Sequence, residues 1–278
     1  MEKTKSQLIN GGQLRLAIIG FPYDENSSFR RGAAGAPPLI REALFSDSSN
    51  LWTETGIDLG EDGVLFDAGD IEFAAAGDAF GDIEMAVSNL MGRHLCLISL
   101  GGDHSITYPI VRGFRNHFQR LSILHFDAHS DLYDEYQGNR FSHACPFARI
   151  MEENLAERLV QVGIRSINGH QRAQAEKFGV EVIEMKQLRH DMVFEFDSPL
   201  YISFDMDALD PAFAPGVSHR EAGGLSTRQV IEIIQGLKTP VVGADIVEFN
   251  PTLDPLNVTS TVCAKILKEI AAKMLSPD

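Results

Sequence analysis

Eight short apolar or β-branched runs punctuate this chain, and most are separated by stretches long enough for a crossover helix. The runs are Leu14–Phe21, Val64–Asp70, Leu95–Gly101, Leu121–His129, Leu159–Ser166, Val180–Glu184, Leu200–Asp207 and Val241–Phe249. Helix-compatible segments lie between them, among them Ile106–Phe118, Phe147–Leu159, Gln171–Phe178, Ser226–Leu237 and Val258–Leu275. Alternation of this kind predicts an α/β fold whose mostly parallel sheet is covered on both faces. The helix after Ser226 is well marked, because Ser226-Thr-Arg-Gln229 forms a capping box ahead of Val230, Ile233, Ile234 and Leu237. Pro37-Pro38 reads as a helix start, whereas Gly81 and Gly92 weaken the helical signal of Ala75–Leu90. With no repeat and no Pro/Ser linker, residues 1–278 are expected to form one domain, with 1–13 as a flexible N-terminus.

Charge narrows the partners. The 24 basic and 39 acidic residues give a net charge of −15, and the 44% apolar content belongs to a packed protein rather than an acidic disordered one. Nucleic-acid binding needs clustered Lys and Arg, and pairs such as Arg30-Arg31 are isolated, so no nucleic-acid partner is expected. Cys96, Cys145 and Cys263 are too few and too scattered for a disulfide framework or a thiolate zinc site. No apolar stretch approaches the roughly 20 residues of a membrane span, and no signal core follows the N-terminus. No membrane association and a cytoplasmic location are therefore expected.

Chemistry is written where the strands end. Open parallel sheets bind ligands beyond the carboxyl ends of their strands, and four runs end in polar clusters: Gly101-Gly-Asp-His104, Asp127-Ala-His-Ser-Asp131, Asp205-Met-Asp207 and Asp245-Ile-Val-Glu248. In an extended chain the D-x-H-x-D spacing would point Asp127, His129 and Asp131 to one side, and Asp205 and Asp207 would follow the same rule. A lone D-x-D is more often a cap or a turn brace. The joint pattern is different, because four converging carboxylates repel one another unless cations neutralise them. Imidazoles with carboxylates and no thiolate suit Mn²⁺, with Fe²⁺, Co²⁺ or Ni²⁺ as alternatives. Two such ions can lower the pKa of a shared water and present hydroxide to an electrophile, which is hydrolytic chemistry. The dinucleotide, P-loop, zincin and nucleophile-elbow motifs are all missing.

Gly101-Gly-Asp-His-Ser105, His125-Phe-Asp-Ala-His-Ser-Asp131 and Ser203-Phe-Asp-Met-Asp-Ala-Leu-Asp-Pro211 closely resemble the metal-binding signatures of the ureohydrolases, the arginase/agmatinase family. Phe213-Ala-Pro-Gly216, Gly223-Gly-Leu225 and Gly243-Ala-Asp-Ile-Val-Glu-Phe-Asn-Pro251 follow the family in order, so the resemblance covers roughly residues 14 to 275. It implies a three-layer α/β/α fold with an eight-stranded sheet. It also implies one Mn²⁺ on His104, Asp127, Asp131 and Asp205 and a second on Asp127, His129, Asp205 and Asp207, with Asp127 and Asp205 bridging. By the same resemblance, Glu248 pairs with the substrate guanidinium, His143 relays protons, and the assembly is a homo-oligomer, a hexamer or a trimer.

Within the family the pattern is closest to plant-type arginases. Tyr133 stands where animal-type arginases carry an Asn, and His143-Ala-Cys replaces the His-Gly-Thr of typical agmatinases. The segments Asp134–His143, Ala148–Glu152, Gln161–Asn168 and Gly216–His219 look like the plant-type subgroup. The implied reaction is hydrolysis of L-arginine to L-ornithine and urea, with agmatine hydrolysis to putrescine and urea as the alternative, and a catalytically inactive metal-binding homologue as the alternative from another class. Asn139 and Asn168 are candidates for substrate contact. His125, alternating with the D-x-H-x-D run, is a candidate to support the ligands from behind, and His219 to line the pocket. His94, His117, His170 and His190 read as surface residues.

Overall fold

The computed structural model describes residues 15–74, 77–93 and 95–276, so the expectations for residues 1–13 and for His94 lie outside the described residues. In chain order the elements are β1 (Arg15–Gly20), α1 (Ala36–Leu44), β2 (Leu65–Asp70), α2 (Ala79–Met91), β3 (Leu95–Leu100), α3 (Thr107–Arg115), β4 (Ser122–Phe126) and α4 (Pro146–Glu152). They continue with β5 (Arg158–Ile164), α5 (Gly169–Phe178), β6 (Glu181–Glu184), β7 (Leu200–Asp205), α6 (Thr227–Gly236), β8 (Val241–Val247) and α7 (Val258–Leu275). The eight strands form one sheet in the order β2-β1-β3-β8-β7-β4-β5-β6. Every strand pairing is parallel.

Both faces of the sheet are covered, as the near-continuous apolar strands require. In β1, Leu16 and Ile18 join a core with Ile40 of α1, Ile234 of α6 and Leu267 of α7. Ala17 and Ile19, one residue out of phase, join a second core with Val87 of α2, Phe114 of α3, Phe147 of α4 and Ala175 of α5. The period of two along a strand thus sorts its residues into the two helical layers.

Local signals explain the helix ends. Ser226 caps α6 through the predicted capping box, and Asn168 caps α5 in the same way. Helix α4 stops well before the expected Leu159, and Asn154 just beyond it has φ +53°. Helix α2 begins only at Ala79, where the Asp78 carboxylate accepts the Gly81 N–H.

One row of residues breaks the apolar rule. Ser99, Asp245, Ser203, His125 and Gln161 are paired side by side across β3, β8, β7, β4 and β5, and each is fully buried. Polar groups at such depth are costly unless hydrogen-bonded; Asp245, Ser203, His125 and the Gln161 amide nitrogen are bonded, while Ser99 Oγ and Gln161 Oε1 are not, and this row lies two residues beneath Asp127 and Asp205.

Candidate metal centre

The strand-end clusters meet where the sheet's four central strands finish. The mechanism differs from simple strand alternation. Strand β4 ends at Phe126, so the D-x-H-x-D run is a loop and not an extended strand. Its turn is fixed by the Asp127 carboxylate accepting the His129 N–H at 2.6 Å and by Asp131 in the left-handed region at φ +46°. Likewise, Asp205 closes β7 and accepts the Asp207 N–H at 2.8 Å, and Asp207 sits in a 3₁₀ turn over Met206–Ala208. Asp207 in turn accepts the Ala128 N–H at 3.1 Å, which ties the two loops together.

Among the described residues three overlapping donor groups result; one joins His104, His125 and Asp127, and the other two gather at the strand ends. His104, Asp127, Asp131 and Asp205 bring one ligand atom each to a common point, and Asp127, His129 and Asp207 do the same beside it. Asp127 belongs to both, as a bridging ligand requires. Asp205 joins only the group with Asp131, so three of the four residues implied for the second ion converge beside it.

The fit to a metal can be judged from His104. Its Nδ1 lies 3.3, 3.1 and 3.2 Å from oxygens of Asp127, Asp131 and Asp205 and has no aligned hydrogen bond to any of them. A buried nitrogen facing three carboxylates without a bond is costly, and a cation at their common focus satisfies all four donors. Nitrogen and oxygen donors without sulfur suit a divalent ion of the Mn²⁺ type. The donor set therefore fits the implied metals.

Electrostatics agree. Burial, with Asp207 and Asp127 nearby, pushes the Asp205 carboxyl well above its ordinary range. Burial and then Asp127 raise Asp207 to about 6. Asp127, despite burial acting the other way, is held well below the usual carboxylate range by His125 and His104. Asp205 and Asp207 thus hold protons more readily than ordinary carboxyls, and a divalent cation would compete with those protons.

Behind the ligands stands the polar row. Gln161 Nε2 donates to His125 Nδ1 at 3.0 Å and to the Ser130 carbonyl at 2.6 Å, so His125 Nε2–H donates to Asp127 at 2.8 Å. His125 thus hydrogen-bonds the candidate ligand Asp127 from behind. His129 Nδ1 lies 3.0 Å from Asp207, and its Nε2 faces Glu221 at 3.8 Å.

Glu248 follows β8 with φ +62°, an unusual conformation for a non-glycine residue. It turns the carboxylate over the β3 loop, where Oε1 accepts the His104 N–H at 2.9 Å and faces His143 Nδ1 at 2.8 Å. His143 Nε2 faces the Ser28 hydroxyl at 2.8 Å. A cavity of about 490 Å³ opens over these groups, lined by Asp131, His143, Asp205, Asp207, His219 and Glu248 among others.

The other candidates separate. His219 lines the cavity, 5.3 Å from the His143 ring. Asn168 lines it too, but its carbonyl oxygen caps α5 and its amide donates to Tyr133 Oη at 2.6 Å. Asn139 is outside the lining: its amide donates to Asn26 at 3.0 Å and its carbonyl accepts the Phe141 N–H at 2.8 Å, which braces the loop. His117, His170 and His190 are exposed. Sequence reasoning missed Ser28, Ser203, Gln161 and Arg165, which lines the cavity and donates to the Asp207 backbone carbonyl at 2.6 Å. Ser203 and Gln161 carried a signal, being polar residues inside otherwise apolar strands.

The arginase family model matches residues 14–272. The chain belongs to the arginase family. It is 45% identical to arginase 1, mitochondrial, of Arabidopsis thaliana over 96% of this chain and 83% of that protein. The solved arginase of Medicago truncatula superposes with a TM-score of 0.91 at 43% identity, covering 95% of this chain and 88% of that one. An agmatinase of Neisseria meningitidis is 34% identical over 91% of this chain and 85% of its own length. As an arginase-family chain with this fold, the protein is a ureohydrolase. The expected cytoplasmic location is corrected: the Arabidopsis relatives are named mitochondrial or chloroplastic/mitochondrial, and the Medicago relative mitochondrial. Residue patterns and cysteine usage carry no information that separates cytosol from organelle. Among the described residues, no helix is long and apolar enough to cross a membrane.

Proposed function

We propose that the protein hydrolyses L-arginine to L-ornithine and urea, using two Mn²⁺ held by His104, Asp127, Asp131, Asp205, His129 and Asp207. Similarity to plant arginases over 96% of this chain, with identity to the Arabidopsis protein of 45% against 34% to the Neisseria agmatinase, is the observation that carries arginine as substrate. Divalent ions at such a centre supply a hydroxide nucleophile at neutral pH.

The remaining work falls to side chains. Glu248 accepts hydrogen bonds from the cationic guanidinium and orients its carbon toward the carboxylate cluster. Asp131, at the cavity wall, accepts a proton from the attacking group. His143 holds a proton between Glu248 and Ser28, within reach of the cavity, and gives it to the departing amine so that ornithine leaves neutral at nitrogen and then protonates. Asn168 and Asn139 contribute through the loops they brace, with Asn168 at the wall where the amino-acid end of the substrate would lie. A homo-oligomer, hexamer or trimer, belongs to the same reading and rests on family likeness; native mass measurement tests it.

The deciding experiment compares kcat/KM for arginine, agmatine, guanidinobutyrate and guanidine on Mn²⁺-loaded protein. Arginine is expected to lead. A large preference for agmatine would overturn the substrate, and no urea from any of the four would overturn the enzyme.

A further inference from the structure

Asp245 is fully buried in the middle of β8, is not among the residues lining the cavity and belongs to none of the donor groups. Four donors nevertheless converge on it. Oδ1 accepts from the Ser203 hydroxyl at 2.8 Å and the Phe204 N–H at 3.3 Å; Oδ2 accepts from Thr107 Oγ1 at 2.9 Å and Tyr201 Oη at 2.7 Å. A carboxylate so surrounded acts as acceptor to every neighbour.

The consequence passes to Ser203. A serine hydroxyl has one proton, and here it is spent on Asp245, so toward its other neighbour Ser203 can only accept. That neighbour is His104 Nε2, at 3.0 Å. His104 must therefore carry hydrogen on Nε2, which leaves the Nδ1 lone pair facing Asp127, Asp131 and Asp205. We propose that Asp245, acting through Ser203, is a positioning residue of the metal centre: it fixes the His104 tautomer so that Nδ1 is the nitrogen available to coordinate. Ring orientation and tautomer are what outer hydrogen bonds set in metal-binding histidines, and losing them costs about 10–100-fold in metal affinity.

The inference rests on the binuclear reading above, and Mn²⁺ binding separates the two. Chelator competition with Mn²⁺ on the whole protein gives the affinities, without reference to turnover. Ser203→Ala is expected to weaken binding by roughly 10–100-fold, and Asp245→Ala to match it, with the double variant no weaker than Ser203→Ala alone. Asp245→Asn discriminates acceptance from charge. The fixed Phe204 N–H forces the Asn carbonyl to the Oδ1 side and its amide toward Thr107 and Tyr201, whose hydroxyls can rotate to accept. Ser203 keeps its acceptor, so Asp245→Asn is expected to bind Mn²⁺ like the unaltered protein, even where its melting temperature falls. Unchanged affinity in Ser203→Ala, or loss in Asp245→Asn, would overturn the positioning role. No Mn²⁺ uptake by the unaltered protein would overturn the binuclear reading itself. Should Asp245→Ala not fold, Ser203→Ala and Asp245→Asn still decide.

Discussion

His143 Nδ1 and Glu248 Oε1 stand 2.8 Å apart, with side chains only 9% and 7% exposed. Burial disfavours a charged imidazole, yet Glu248, with help from Asp131 and Asp103, outweighs it and raises His143 to about 9. The pair is thus a stored proton next to a carboxylate that faces the cavity.

Replacing Glu248 by Gln removes that charge. In the metal-free protein the His143 pKa should fall from about 9 toward or below its ordinary 6.5, which an imidazole NMR titration reads directly. A folded pKa above the unfolded one stabilises the fold fully below pH 6.5, and that contribution disappears as pH rises through about 9. The unaltered metal-free protein should therefore lose stability across this window, and Glu248→Gln should not. Losing one partner of a buried charge pair costs roughly 2–5 kcal/mol, so kcat/KM for arginine should drop by at least about 30-fold while Mn²⁺ content is kept.

Asp127→Asn acts on both donor groups at once, since only Asp127 belongs to the two sets that include His104 and His129. Metal analysis after dialysis should show both ions lost, with affinity down by about 100-fold or more, beyond the usual cost of an outer-shell change. One ion retained at full occupancy would show that Asp127 does not bridge.

Chelation should change how stability responds to pH. Asp207 is raised to about 6 from 3.8 by burial and by Asp127. A raised carboxyl pKa gives stability present below 3.8 and lost as pH climbs through about 6. The metal-free protein should thus weaken over that interval, and the Mn²⁺-loaded protein should not. With each of the two ions at 100 times its Kd, binding adds about 5.4 kcal/mol. Thermal melts at pH 7 with and without chelator should differ by roughly 10–20 °C.

Gly102→Ala tests how the β3 loop is seated. A Cβ there would fall 1.8 Å from the Tyr23 carbonyl oxygen, and Gly102 also accepts the Glu248 N–H at 2.9 Å. Backbone must move, displacing His104 and Glu248 together. Overpacking of this kind costs about 1–3 kcal/mol, and a denaturant midpoint shift with loss of both Mn²⁺ affinity and turnover is expected.

The sheet was legible in the sequence because each strand is a short apolar run, and all eight expected runs became strands. Their ends were not. Asp131 and Glu248 leave the ladder through left-handed backbone at φ +46° and +62°, which neither residue type announces. The D-x-H-x-D spacing therefore pointed to residues that do gather, but for a reason that does not hold, since loop hydrogen bonds, not strand alternation, bring the three side chains together. Likeness to a family supplied the ligand set that spacing alone left open. That Asn139 lies outside the cavity lining was not legible, because its partner, Asn26, is remote in sequence. Asp245 was read as part of a strand-end cluster; its fully buried place in the row with Ser203 depends on sheet register, which one chain segment cannot reveal.

Strand β8 is the last to be synthesised, yet it lies between β3 and β7. Until it inserts, β2-β1-β3 and β7-β4-β5-β6 are two separate half-sheets, each ending in an unpaired apolar edge. Such edges invite pairing with other chains, and contacts so distant in sequence form slowly. A nascent chain halted before Val241 should accordingly be held by chaperones or aggregate, and joining of the half-sheets should coincide with arrival of Asp245 and Glu248. Assembly of the fold and maturation of its chemistry are then one kinetic event.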